Sequence, residues 1–266
     1  MIDLKAVNDT LIEYVKLMEF PVAVKMLPDF NIEKLRQEHP KAKIPHLDLG
    51  MRVITCQAMA MARKYEWELI LNQEDLICPT GLVVMGFAKM LDSMLSGEDP
   101  VAPFNQSREA RARRIRTLPR FNHGDYKAML IAPLHRASFE PDAVVVYGSS
   151  AQVMRLVQAA LFFEGGSLSS SCGGGQGCSQ YITKTIMDKQ CRYILPGNGD
   201  RIFGLVDDGQ MIFSMPKERV ESVTAGLRES HIGGQRLPIP SYLKFEVQMP
   251  EKYQALTEKL LKDHPS

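Results

Sequence analysis

Residues 143–146, Ala-Val-Val-Val, form an unbroken apolar run rich in β-branched side chains, with no polar residue alternating between them. A strand of that pattern is buried on both faces, so the sheet that contains it needs cover on either side. Gly148-Ser149-Ser150 leads directly from this strand into a stretch carrying Val153, Leu156, Val157, Ala160 and Leu161 at helical spacing. The result is a strand–loop–helix unit whose helix has one apolar face.

The remaining elements are read around that unit. Leu4, Val7, Leu11, Val15 and Met18 mark an amphipathic N-terminal helix, and Pro21 starts a strand through Val22, Val24 and Met26. Residues 28–50 read as a loop or short helix. Thr55 caps a helix through Ala58, Met59, Ala62 and Tyr65, and the turn Cys78-Pro79-Thr80-Gly81 precedes another through Leu82, Met85, Met90 and Leu91. SGEDPVAP at 96–103 reads as a linker or surface loop before a polar helix over 105–118. Further strands are expected at 128–131, 192–195, 202–206, 211–214 and 243–247, with Asp207-Asp208-Gly209 as a hairpin turn and helices starting at Pro216 and Pro250.

A chain of 266 residues with these elements is expected to be a single α+β body, mixed α/β in content, with a mixed β-sheet flanked by helices. It divides into lobes at 1–100, rich in helix, and 120–248, rich in strand, followed by a C-terminal helix at 249–266. The 32 basic and 31 acidic residues balance to a formal charge of +1, which removes the field that a nucleic-acid binder would use. An anion site must then be local. The arginines of 105–118 point in several directions on a helix, as on a solvated face or a subunit contact. The apolar stretch 82–91 contains Lys89 and is too short to span a bilayer, so no membrane contact is expected.

Five cysteines, odd in number and widely scattered, fit a reducing cytoplasm better than a disulfide scaffold. Cys56, Cys78 and Cys178 each fall at an expected helix start, where the partial positive charge favours the thiolate that binds metal. Cys172 and Cys178 lie in EGGSLSSSCGGGQGCSQ, residues 164–180, which is either a flexible loop or a functional one. Its glycines, Gly174 and Gly177 among them, satisfy neither a P-loop nor a dinucleotide fingerprint. They do permit close approach of backbone N–H groups to an inorganic group. No Cys-x-x-Cys is present, which argues against a zinc knuckle and a thioredoxin motif. With Cys172 as fourth ligand the set suits a [4Fe–4S] cluster; with three thiolates one iron is open to substrate. Separate buried cysteines are the competing reading, and Cys191, at the edge of a strand, is expected in the core.

Several motifs occur together in one order: PVAVK (21–25), Thr55-Cys56-Gln57-Ala58 with Ala62-Arg63, Cys78 with Gly81 and Gly86-Phe87, PDAVVVYG (141–148), AQVMRLVQA (151–159), Gly177-Cys178-Ser179 and GNGDRIFG (197–204). In these the chain resembles the domain-of-unknown-function 169 family, an uncharacterised prokaryotic class, from about residue 15 to about residue 240. The resemblance implies that Cys56, Cys78 and Cys178 occupy family motif positions; Cys172 and Cys191 align with none.

Two further places suit an anion. Ser149 and Ser150, at a helix start after a buried strand, could hold a carboxylate or phosphate, and Arg201 could orient an anionic substrate or face a negative cluster. The expectation is a cytoplasmic iron–sulfur protein with a redox or reductive role on a small molecule, partnered by an electron carrier, with a second copy of the chain as a candidate partner. The competing expectation is a non-redox module binding an anionic metabolite or tetrapyrrole, its cysteines merely buried.

Overall fold

The computed structural model describes residues 2–99, 104–239 and 249–263; the strand expected at 243–247 lies outside them. The strands β1 (Val22–Leu27), β2 (Leu69–Asn72), β3 (Ala128–Pro133), β4 (Ala143–Ser149), β5 (Arg192–Ile194) and β6 (Gln210–Pro216) form one sheet. Their order is β2-β3-β1-β4-β6-β5, every pairing antiparallel. The parallel contacts among the described residues are isolated bridges, Lys43 with Leu69 and Val53 with Leu76. The α+β expectation therefore holds, but the sheet is antiparallel throughout rather than mixed, and it draws β1 and β2 from the first hundred residues and the rest from the second part of the chain.

β4 lies inside the sheet, its Val145 opposite Val22 of β1 and Ser214 of β6. Val144, Val145 and Val146 are fully buried, each contributing about 1.5–3 kcal/mol relative to an exposed side chain. Alternation sends them to different faces. Val144 and Val146 join Ala23, Phe213 and Met215 in a core covered by α1 (Leu4–Val15), α7 (Ser150–Leu161) and α10 (Lys217–Ile232). Val145 joins Val22, Val24, Tyr147 and Ile212 on the opposite face, under α3 (Thr55–Tyr65) and α4 (Pro79–Val84). The second face carries the site.

Local chemistry explains most element ends. Ser149 starts α7 with a capping box, its Oγ accepting the Gln152 N–H while its own N–H donates to Gln152 Oε1 at 2.7 Å. The Gln152 amide then donates to the Val15 and Lys16 carbonyls, fastening α7 to the end of α1. Gly226 lets α10 approach α7 so closely that a Cβ there would overlap the Ala159 carbonyl. α2 (Ile32–Glu38) is followed by a π-turn at Pro45–Leu49, α5 (Asp92–Ser96) packs on α6 (Arg108–Arg116), and α8 (Thr185–Asp188) continues a second π-turn at Ser179–Lys184. α11 (Glu251–Asp263) has no buried residue.

Three local expectations need correction. Residues 202–206 form no strand: GNGDRI folds into the helical turn α9 (Asn198–Ile202), because Asp200 reaches back to accept the Gly197 N–H at 2.9 Å. Asp207-Asp208-Gly209 thus follows a helix and introduces β6, with a turn bond from the Gln210 N–H to the Asp207 carbonyl. The helix expected from Leu82 through Leu91 instead starts at Pro79 and ends at Val84, and β2, a four-residue, fully buried edge strand, lies outside the expected strands.

Candidate functional site

Three cysteines distant in sequence line one cavity of about 320 Å³. Backbone pairing brings the first two together. The Val53 N–H donates to the Asp75 carbonyl at 2.7 Å, and the Ile77 N–H donates to the Val53 carbonyl at 3.0 Å. The segments entering α3 and α4 therefore run side by side, placing Cys56 in the first turn of α3 and Cys78 at the N-cap of α4. Thr183 then hydrogen-bonds the Val84 carbonyl at 3.1 Å, tying the second π-turn to the end of α4 and bringing in Cys178 from its first turn.

Cys56 and Cys78 are half-buried and Cys178 is buried. The Gly81 N–H donates to Cys78 Sγ at 3.3 Å. Thr55 does not cap α3 as expected: Ile54 is the N-cap, and Thr55 Oγ1, in the same corner as Cys78, is buried with no hydrogen-bond partner. The glycines keep the surroundings thin: a Cβ on Gly199 would stand 3.2 Å from Cys56 Sγ, and one on Gly197 would stand 2.9 Å from Gly175 Cα. A Cβ on Gly177 would overlap Asp200. The glycine-rich segment is thus built for close packing of two loops against each other as much as for flexibility.

Behind the thiols lies a buried polar network. Tyr181 donates to Asp200 Oδ1 at 3.0 Å, and that carboxylate stands close enough to Cys56 for its charge to act on the thiol. Arg63, fully buried on α3, pairs with Glu19, donates to the Gly204 carbonyl, and lies 4.3 Å over the Tyr147 ring. It thereby holds the chain after α9, and with it Gly199, against Cys56.

The electrostatics differ from a simple helix-start picture. Burial pushes the Cys56 and Cys178 thiols well above the ordinary range, and the negative charge of Asp200 and the neighbouring thiols adds to the rise. Burial outweighs the partial positive charge of the helix starts, so the surroundings favour the neutral thiols. Burial likewise raises the Asp200 carboxyl, against the lowering effect of the Gly197 N–H, Tyr181, Cys56 and Arg63.

The other expected residues lie elsewhere. Cys172 is exposed on the glycine-rich segment and does not line the cavity. Gly177 lines it, whereas Gly174 does not; it is in a left-handed conformation, and a Cβ there would point into open space. Ser149 and Ser150 are exposed, with the Ser149 hydroxyl used as the cap of α7. Arg201 bonds the Asp207 carbonyl and pairs with Asp208, away from the lining. Cys191 is buried in the core on the other face of the sheet, its thiol pushed up to about 12 by that burial. Among the described residues no three His, Cys, Asp or Glu side chains are gathered as ligands of a single metal ion. Thiolates of a cluster bind separate irons and stand farther apart, so a cluster is a different geometric question.

Sequence reading gave no site role to Asp200 and Tyr181 behind the thiols, or to one charged residue of the cavity wall. Arg114 on α6 lines the same cavity. Arginine spacing held no signal for it; the packing of Ala112 and Ile115 sets the rotation of α6.

An antiparallel sheet with helices on both faces and a three-thiol cavity on one of them is the body that the motif order leads to. The chain belongs to the DUF169 family, described as uncharacterised ArCR, which matches residues 10–226. It is similar to the uncharacterised protein MJ0308 of Methanocaldococcus jannaschii, 26% identical over 215 residues, covering 80% of this chain and 91% of that protein. No solved structure matches. Among the described residues, no helix is long and apolar enough to cross a membrane.

Proposed function

We propose that the chain is an iron–sulfur protein in which Cys56, Cys78 and Cys178 each ligate one iron of a [4Fe–4S] cluster. The observation that carries this reading is the convergence of three unpaired cysteines, from three separate elements, on one cavity. The donor set is soft and all sulfur, as such a group requires. The Gly81 N–H on Cys78 Sγ and the orphaned Thr55 hydroxyl are polar contacts of the kind that surround cluster sulfurs, and Gly199 leaves room beside Cys56. Cys172 is not needed.

When bound, the group supplies an iron without a protein thiolate, open toward the cavity to a donor atom of a small molecule, and a store for electrons from an external carrier. The chain's own residues hold the thiols in place, through the Arg63 and Asp200 network, and wall the cavity. Five free cysteines and the reducing conditions a cluster needs support a cytoplasmic site of action. A non-redox binding module is the second reading, favoured by the burial that holds Cys56 and Cys178 protonated.

Purification without oxygen, followed by assay of iron, acid-labile sulfide and the visible spectrum, separates the two. Brown protein with matching iron and sulfide is expected. A colourless preparation free of iron and zinc sinks the cluster reading and leaves the binding module.

A further inference from the structure

Six arginines crowd the segment 108–120, and α6 deploys its own differently from one another. Arg108 pairs with Glu98 and bonds the Ser96 carbonyl, Arg111 bonds the Gly97 carbonyl, and Arg116 bonds the Leu95 carbonyl. These three fasten α6 to the end of α5. Arg113 is exposed. Arg114 alone of the helix turns to the cavity of the three thiols.

Its guanidinium lies 4.7 Å from the Phe104 ring centroid and donates from Nε and Nη2 to the one neutral oxygen Gln176 Oε1, at 3.2 and 2.7 Å. No carboxylate pairs with it among the described residues. Three of its five N–H groups are left for another acceptor. Gly175 makes the placement available, because a Cβ there would overlap Nη2. Partial burial strips water from this charge and supplies no anion in return, which lowers its pKa and leaves it ready for one.

The rest of the lining decides which anion. Ile54, Phe104 and Phe203 are apolar, Thr80, Gln176 and Asn198 are neutral, and no second cation lines the cavity among the described residues. A doubly charged phosphate would be half compensated here, whereas one carboxylate matches one guanidinium in charge and in its fork geometry. We propose that this cavity binds a small monocarboxylic acid with an apolar tail, its carboxylate on Arg114 and its body beside the thiols. The proposal rests on the cavity identified above and names the substrate class of that site, but it does not require the cluster.

The test is thermal unfolding of the full chain, purified without oxygen and with its iron content measured, in the presence of acetate, butyrate, hexanoate, benzoate and phenylacetate. Benzamide and inorganic phosphate are the controls. At about 10 mM, tenfold above a millimolar Kd, the longer or aromatic acids are expected to raise Tm by about 3–5 °C. Benzamide and phosphate are not. Arg114→Gln and Gly175→Ala should lose most of that shift, the latter with the charge intact, while Arg113→Gln keeps it. Circular dichroism confirms that each variant is folded. A shift that survives in Arg114→Gln, the absence of a shift with every acid, or phosphate acting in place of the acids overturns the proposal. An iron-free protein with an Arg114-dependent shift removes the cluster and keeps this inference; an iron-loaded protein with no shift does the reverse.

Discussion

The Tyr181 hydroxyl and the Asp200 carboxylate meet at 3.0 Å inside the core, directly behind Cys56. The other carboxylate oxygen holds the Gly197 N–H, so a single side chain ties the second π-turn and α9 together. Asp200→Ala strands the Tyr181 hydroxyl and the Gly197 N–H in a buried place, each worth about 1–3 kcal/mol. Asp200→Asn can keep its oxygen on the Gly197 N–H while its NH2 donates to the Tyr181 hydroxyl, and should cost less than half as much. Urea unfolding of the two variants checks this, and equal losses would show that the network is not what the carboxyl contributes.

Serine at position 56, 78 or 178 is expected to remove most of the bound iron and visible absorption. Serine at 172 or 191 should leave both near the parent level, since one is exposed and outside the cavity and the other lies on the opposite face of the sheet. Iron and sulfide analysis of the five variants reads the outcome, and dependence on Cys172 would return the set to four ligands.

Gly226 tests the seam between α7 and α10. Helix propensity alone would favour alanine there by about 0.8–1.0 kcal/mol. The added Cβ would overlap the Ala159 carbonyl, a backbone atom that cannot swing aside. The clash should win, lowering stability by about 1–3 kcal/mol. A variant more stable than the parent contradicts this packing.

Asp48 provides the pH dependence. Burial works to raise its carboxyl, but the Arg36 hydrogen bond at 2.6 Å, the Ile44 N–H at 2.7 Å and the charges of Arg36 and Lys43 together bring it below the ordinary value. A group depressed in the folded state stabilises above its unfolded pKa of about 3.9 and loses that contribution as pH falls through the folded value. The stability gap between the parent and Asp48→Asn should therefore be constant near neutrality and shrink as the pH drops below about 4. Urea midpoints across that range would show it; a gap that widens in acid contradicts the assignment.

Thiol reactivity separates the two remaining cysteines. With its thiol at about 12, Cys191 carries about a thousandfold less thiolate at pH 7 than an ordinary cysteine, and it is buried as well. Cys172 is exposed. A maleimide should label Cys172 in the native chain and reach Cys191 only on unfolding, an order that mass mapping of the labelled peptides reads directly. Early labelling of Cys191 would place it outside the core.

The parts of this molecule that could be read in its sequence are those whose cause is local. The valine run of β4 and the spacing of α7 announced a doubly covered sheet, and the three helix starts at Cys56, Cys78 and Cys178 lie where Thr55, Pro79 and the glycine–serine boundary suggested. What escaped depends on distant partners. Asp200 turns GNGDRI into helix by being buried against Tyr181, and β2 is a strand because β3 lies beside it. Arg114 reaches the cavity because Ile115 packs with Val83 and Met94. The grouping of the thiols depends on Val53 pairing with the segment from Asp75 to Ile77.

The order in which the walls of the cavity appear along the chain has a temporal meaning. Cys56 and Cys78 come from the first third, but Cys178, Asn198 and Phe203 follow only after β3, β4 and α7 have been made. A nascent or truncated chain ending at α7 possesses two of the thiols and none of the loop that brings in the third. The three-thiol wall exists as a whole only in a chain that has been made at least as far as Phe203.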